Sequence, residues 1–410
     1  MPLSGRTLVT AVCIGQVGNL LPHVVVPAVM AQHLIPQWGL SASEAGLMAS
    51  SFAIGYMIAV PLLTALTDRI DARIVLLIGS AVSGLATFAF GLSANDLWSA
   101  IAIWSIAGIG FSGAYMPGLK ALVDRLPPGD SSRSVTMYTA TFSVGVGLSF
   151  LIAQLAADRF GWRIAFYLTA LGPLAMIAAC LGMAAVKPIP SSRPLLDFKP
   201  VFRNRPALGF ILGYGAHCFE LYALRTWIVA FWTYVAARNS GSALLEPIYV
   251  SFIAAVLAMP SSVIGNEAAL RFGRHRAIVA FMCISGIIAT LIGFAGTAAP
   301  IILLTLLFAY SIAIPADSGA LTSGMTLSAQ PEYRGATMAL HSTVGFGLSA
   351  AGGWAVGVAL DAGGGINTSS GWLLAFLVMA VGGMFGPVAL LWSLLRPGIG
   401  TPNSDLGRSN

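Results

Sequence analysis

Twelve long apolar runs follow one another along the 410-residue chain, at approximately 7–31, 42–66, 73–93, 97–120, 134–157, 163–186, 208–236, 246–270, 277–297, 300–323, 335–360 and 371–395. Each is long enough, as a helix rising about 1.5 Å per residue, to cross a hydrocarbon core of about 30 Å. Polar positions gather in the short connections. The longest polar stretch, KPIPSSRPLLDFKPVFRNRP at 187–206, holds prolines that oppose a continuous helix. The pattern predicts an all-α membrane protein of twelve transmembrane helices, with a linker on the membrane surface between the sixth and seventh. The first run carries Gln16, Asn19 and His23 and lacks a small-residue cleavage site, so it reads as a first span rather than a cleaved signal.

Composition agrees. Hydrophobic residues make up 57% and charged residues 9% of the chain, against about 25% charged in soluble domains, which leaves no room for a sizeable soluble domain. The net charge of +6 does not point to nucleic acid, because the basic residues are distributed by side. If both termini share one side, that side holds 17 Lys and Arg, the other side holds Arg159, Arg163 and Arg238, and Arg225 lies within a span. The asymmetry predicts cytoplasmic termini and a cytoplasmic linker in the cell inner membrane. Cys13, Cys180, Cys218 and Cys283 all lie in apolar runs and read as small core residues rather than disulfides or metal ligands.

An internal repeat sets the architecture. RSVTM at 133–137 mirrors RGATM at 334–338, GVGLS at 145–149 mirrors GFGLS at 345–349, and GWRIAF at 161–166 mirrors GWLLAF at 371–376. Copies in the same orientation, about 200 residues apart, predict two six-helix bundles related by an axis along the membrane normal, with a central site between them. The expected division is an N-terminal bundle at 1–186, the linker at 187–206, a C-terminal bundle at 207–396 and a cytoplasmic tail at 397–410.

The seventh run, LGFILGYGAHCFELYALRTWIVAFWTYVA, contains His217, Glu220 and Arg225. Charge at membrane depth is expensive and is kept where it faces a protein interior or a water-filled path. At about 100° per residue, these three and Tyr214 share an arc of roughly 140°, which reads as a polar wall on an apolar helix. Glu220, near mid-span, can exchange a proton. Arg225 cannot lose its proton and can hold a carboxylate bidentately. His217 can relay a proton or bond the solute. Glu220 and Arg225 point too far apart for a direct pair, so each needs a partner on another helix or on the solute.

The loop TALTDRIDARIVL at 64–76, with Asp68, Arg69 and Arg73, and its weaker copy NEAALRFGRHR at 266–276, resemble the loop motif of the major facilitator superfamily. Thr64 and Asp71 stand where that motif has glycines. SVGVGLSFLIAQ at 143–154 is similar to the fifth-helix glycine motif of exporters in that superfamily, with Ser149-Phe150 in place of Gly-Pro. The resemblance implies that Asp68, Arg69 and Arg73 gate the pathway by latching the halves on the cytoplasmic side. It also implies that the first, fourth, seventh and tenth helices line the central path. On that basis Asn19, Trp104 and Tyr115 join Arg225, His217 and Tyr214 as substrate-binding candidates, and Asp317 joins Glu220 as a proton-coupling candidate. Lys120 reads as a snorkelling residue and His341 as an interior histidine.

No phosphate loop of the GxxxxGK[ST] type, zinc spacing or nucleotide domain is present in the sequence. The chain therefore reads as no enzyme and as needing no cofactor or metal. The expected function is secondary active transport of a small anionic or zwitterionic organic solute by alternating access and proton symport. The alternative is a proton-coupled antiporter exporting drugs or amphipathic metabolites. The expected partners are the solute, protons and the lipid bilayer, with no nucleic acid, and the expected state is a monomer.

Overall fold

A computed structural model describes residues 3–127, 131–188, 197–239 and 244–395. The helices are α1 (Gly5–Leu20 and Val25–Trp38), α2 (Ala42–Leu66), α3 (Ala72–Ser93), α4 (Leu97–Val123), α5 (Ser131–Phe160), α6 (Trp162–Gly182), α7 (Arg205–Arg238), α8 (Pro247–Phe272), α9 (Arg274–Phe294), α10 (Pro300–Ser328), α11 (Arg334–Ala362) and α12 (Ser369–Leu394). Eleven of these are long and apolar enough to span a membrane, and α1 makes the twelfth as a bent pair. The polar connections supply the starts. Asp96 and Ser99 form a capping box at α4, and the Thr368 side chain accepts from Gly371 N at α12, satisfying N–H groups that lack intrahelical partners.

Two helices are broken within their spans. In α1 the chain turns through Leu21–Val24, and the flanking segments meet at 48°. Pro22 cannot supply a backbone donor there. Ser149 of α5 closes the gap, its Oγ donating to the Leu21 carbonyl at 2.6 Å and accepting from Val24 N at 3.4 Å. In α10 a 3-10 turn, Ile314–Asp317, separates Pro300–Ala313 from Ser318–Ser328. Irregular backbone at membrane depth is tolerated where protein or a hydrated cavity satisfies it.

The helices before and after the linker meet along two seams. On one, Gln154 Nε2 of α5 donates to Ser251 Oγ of α8 at 2.9 Å. On the other, α2 lies along α11. Ser50 Oγ donates to the Ala350 carbonyl at 2.8 Å, and Gly46 faces Gly353 so closely that a Cβ on Gly46 would fall 2.8 Å from the Gly353 oxygen. Trp227 of α7 donates Nε1 to the same oxygen at 2.8 Å. This seam is closed toward the end where α2 begins, here termed the far end. Toward the end carrying Lys120, Arg125 and Arg205, here the basic end, it parts around a cavity of about 310 Å³ lined by Pro61, Thr64, Asp68, Lys120, Gly335 and Ser342.

Two expectations change. The first span is not one helix over 7–31 but a broken one reaching Trp38. The linker contains a short helix, Lys199–Arg203, and α7 begins at Arg205; residues 189–196 of the linker and the tail at 397–410 lie outside the described residues. At Lys120, read as snorkelling, the structure adds a partner, its Nζ pairing with Asp124 at 3.1 Å.

Candidate functional site

The polar residues of α7 divide between two environments. On one face, Arg225 and Tyr222 point toward helices of the N-terminal half. Tyr222 is three residues before Arg225 and so lies close to its face. The Arg225 guanidinium sits 5.2 Å from the Tyr222 ring centre and 5.6 Å from that of Phe142 on α5, a favourable placement of a cation on aromatic faces. Arg225 is 8% exposed, and among the described residues no carboxylate lies within ion-pair distance of it.

Beside it, the unwound turn of α1 delivers His23 into an aromatic box. The imidazole centre is 5.2 Å from Phe52 of α2, 5.1 Å from Phe111 of α4, 5.4 Å from Phe142 and 5.8 Å from Tyr222. His23 Nε2 is 3.4 Å from Tyr222 Oη, while Nδ1 has no partner. Tyr115 stacks on Phe111 and meets Phe142 edge-on at 5.3 Å. Its carbonyl accepts from Tyr138 Oη, which is also 2.9 Å from Gln16 Oε1. Tyr56 stacks on Phe346 of α11 at 3.6 Å and leaves its buried hydroxyl unpartnered. A permanent cation, a histidine and tyrosine hydroxyls thus converge where both halves contribute walls.

The other face of α7 packs within the C-terminal half. Glu220 accepts from Tyr310 Oη of α10 at 2.8 Å and from Ser285 Oγ of α9 at 3.0 Å. His217 Nδ1 lies 2.6 Å from Asp317 Oδ1, at the break in α10. Tyr214 stacks between His217 at 5.6 Å and His341 of α11 at 3.8 Å. Glu220, His217, Asp317 and His341 are each at most 3% exposed.

The single polar wall expected from the helical wheel is therefore split. Arg225 and Tyr115 come together between the halves, whereas His217, Tyr214, Glu220 and Asp317 form a network inside one half. Asn19 and Trp104 join neither. Asn19 Nδ2 donates to Ser80 Oγ of α3 at 3.1 Å. Trp104 packs with Phe52, Phe90 and Phe166 in the N-terminal half.

At the basic end, Asp68, Arg69 and Arg73 do not form one cluster. Asp68 lines the cavity between α2 and α11. The carboxylate that organises the loop is Asp71, which receives both Arg125 contacts at 2.8 Å, Arg73 N at 2.9 Å and Val186 N at 2.9 Å. Burial pushes the Asp71 carboxyl up, but the hydrogen bonds from Arg125, Val186 and Arg73 and the Arg125 charge outweigh it and hold the group below its ordinary value of 3.8. Arg73 uses its guanidinium on the Met183 carbonyl at 2.7 Å.

Sequence reasoning passed over Tyr222 and Phe142, and named Ser149 and Asp71 only as departures from family motifs. Tyr222 had a signal in its spacing from Arg225, and Asp71 had one in its position just before a helix. Phe142 and Ser149 had none, because their roles depend on which helices become neighbours.

Comparison with known proteins agrees with this architecture. The chain is 24% identical over 226 residues to a probable chloroplastic anion transporter of Oryza sativa subsp. japonica, covering 50% of this chain and 38% of that protein. It is 27% identical over 203 residues to the quinolone resistance protein NorA of Staphylococcus aureus, covering 46% of this chain and 50% of that protein. The chain thus spans half or less of the length of these relatives. Its fold superposes on a bacterial homologue of the human lysosomal transporter Spinster, in an inward-facing conformation, with a TM-score of 0.69, 18% identity and 94% of each chain covered. Residues 12–353 match the Major Facilitator Superfamily, and with its broken first span, parallel repeat and two six-helix bundles the chain belongs to that family.

Proposed function

We propose that this protein is a secondary transporter that moves a small organic anion or zwitterion across the cell inner membrane by alternating access, coupled to proton symport. Arg225 carries the reading. A guanidinium that is nearly buried among rings, without a carboxylate beside it among the described residues, is an uncompensated charge in a low-dielectric setting. An incoming carboxylate supplies the missing counter-ion bidentately. Phe142, Tyr222, Tyr115 and His23 stand ready around the rest of the solute.

On this reading Glu220 and Asp317 bind the coupling proton, and His217 links Asp317 to Tyr214. The proton carboxyls and the anion site share α7, so a tilt of that helix affects both. The bundles comprise 1–186 and 207–396, joined by the linker at 187–206, and a single copy suffices. The basic end and both termini, with the tail at 397–410, face the cytoplasm, following the distribution of Lys and Arg. The cavity between α2 and α11 at the basic end then makes this an inward-facing form. Asp68 within that cavity, with Arg69 and Arg73 nearby, serves the cytoplasmic gate when the halves rock the other way. An anion transporter among the relatives supports the solute class. The quinolone resistance protein among them is the precedent for the competing export reading, but Arg225 repels a cationic drug.

Uptake into proteoliposomes tests the reading. With the outside acidic, wild type accumulates a carboxylate solute, and Glu220→Gln still binds and exchanges it without accumulation. If an imposed pH gradient drives no tested carboxylate and Glu220→Gln matches wild type, symport is wrong.

A further inference from the structure

We infer that Asp361 is the far-end latch of the transport cycle, a gate residue on the α2–α11 seam opposite the Asp68 loop. Asp361 occupies the last turn of α11. Its Oδ1 accepts from Ala42 N and its Oδ2 from Ser43 N, each at 2.8 Å. These are the first two N–H groups of α2, which no intrahelical carbonyl can reach. Within α2's own capping box, Ser41 Oγ accepts from Glu44 N, and Glu44 returns the bond to Ser41 N. The local cap therefore serves the third donor and leaves the first two to a carboxylate from the opposite half. Negative charge at a helix start is also favoured by the helix dipole.

The position makes this contact a latch rather than a cap alone. Asp361 and Ala42 are 319 residues apart and belong to different bundles. Immediately inward, the seam closes by direct contact: Gly46 against Gly353, Ser50 onto the Ala350 carbonyl and Trp227 onto the Gly353 carbonyl. Opening a passage at the far end must withdraw α2 from α11 and break both Asp361 bonds. At the basic end the arrangement is the converse. Asp68 follows the end of α2 and shares a cavity with Gly335 and Ala336 at the start of α11, and among the described residues it makes no ion pair. Each helix start on this seam thus has a carboxylate on the other helix within its end of the molecule. In this conformation one is engaged, and the other, among the described residues, makes no ion pair.

The inference rests on alternating access, and its test needs no substrate. In a chain whose four native cysteines are replaced by serine, Ser50→Cys reports opening of the seam through its rate of labelling by a membrane-impermeant maleimide. Labelling runs on right-side-out and inside-out vesicles. Asp361→Ala raises the labelling rate from the far side by roughly 3- to 30-fold, the range expected for loss of a helix cap. Ala42→Pro removes one of the two donors while keeping a residue suited to the first helical position. It follows the extended Ser41, as a residue before proline requires. It raises the rate less, and the double variant gives less than the product of the two. Ala42→Pro carries the test alone if Asp361→Ala does not fold. Equal labelling in wild type and either folded variant overturns the latch. A single cysteine at the exposed far-end residue Asn95 reports sidedness. If it labels only from the cytoplasmic side, the proposed orientation fails while the latch result still stands.

Discussion

The two faces of α7 bury ionisable groups in opposite ways. Toward the C-terminal half, Glu220 has two hydroxyl donors and Asp317 has His217. Those groups find their partners within one half of the molecule. Toward the N-terminal half, Arg225 meets rings of Phe142 and Tyr222 and no carboxylate among the described residues. A buried charge completed by its own bundle can store or pass a proton. A buried charge left incomplete at the boundary between bundles recruits its partner from outside. On the proposed function, the difference places the two tasks of a coupled carrier on opposite sides of one helix.

The sharpest way to break this comparison is Arg225→Ala. Removing the anion's charge partner is expected to lower uptake by about 100-fold or more, from the roughly 3–5 kcal/mol that loss of one member of a buried ion pair costs. Thermal stability in the absence of solute stays level or rises, because an uncompensated charge has gone. A fall of several degrees in Tm would make Arg225 structural. The opposite response is expected on the other face. Tyr310→Phe leaves a Glu220 oxygen without its donor, which costs about 1–3 kcal/mol of stability and lowers Tm while solute binding persists. Solute binding lost with unchanged Tm would reverse the assignment.

Asp71 offers the smallest effect and a control outside the membrane. It is a paired carboxylate like Glu220, but at the wet basic end, with its folded value below the ordinary 3.8. Its contribution is therefore complete above the unfolded value and is lost as pH falls through the depressed folded one. Asp71→Asn should flatten the acid limb of Tm against pH, with little change near neutrality. An unchanged acid limb would show that Arg125 does not hold the ionised form.

Much of this was legible from the chain. The apolar runs set the spans because a bilayer core demands unbroken apolar length; the α10 break was not expected, although Pro315 lies within it. The α1 break was readable in principle from Pro22, but its repair by Ser149 was not. The cytoplasmic gate reading named Asp68, Arg69 and Arg73, while the loop's bonds converge on Asp71, which stands where the resembling motif has glycine. Trp104 and Asn19 were placed on the path by helix number, yet their side chains turn into the N-terminal half. Helix number gives neighbourhood, and rotation about the axis decides the face.

By itself the sequence determined twelve apolar spans, a parallel repeat and three ionisable residues in one membrane helix. Those are one-dimensional facts of hydrophobic length and spacing. Only the tertiary structure decided that Glu220 is completed by Tyr310 and Ser285, that Arg225 meets no carboxylate among the described residues, and that Asp361 reaches the start of α2. The physical reason is that pairing depends on which faces of distant helices are brought within about 3 Å. Helical periodicity fixes the angle of a side chain around its own axis and says nothing of what stands opposite.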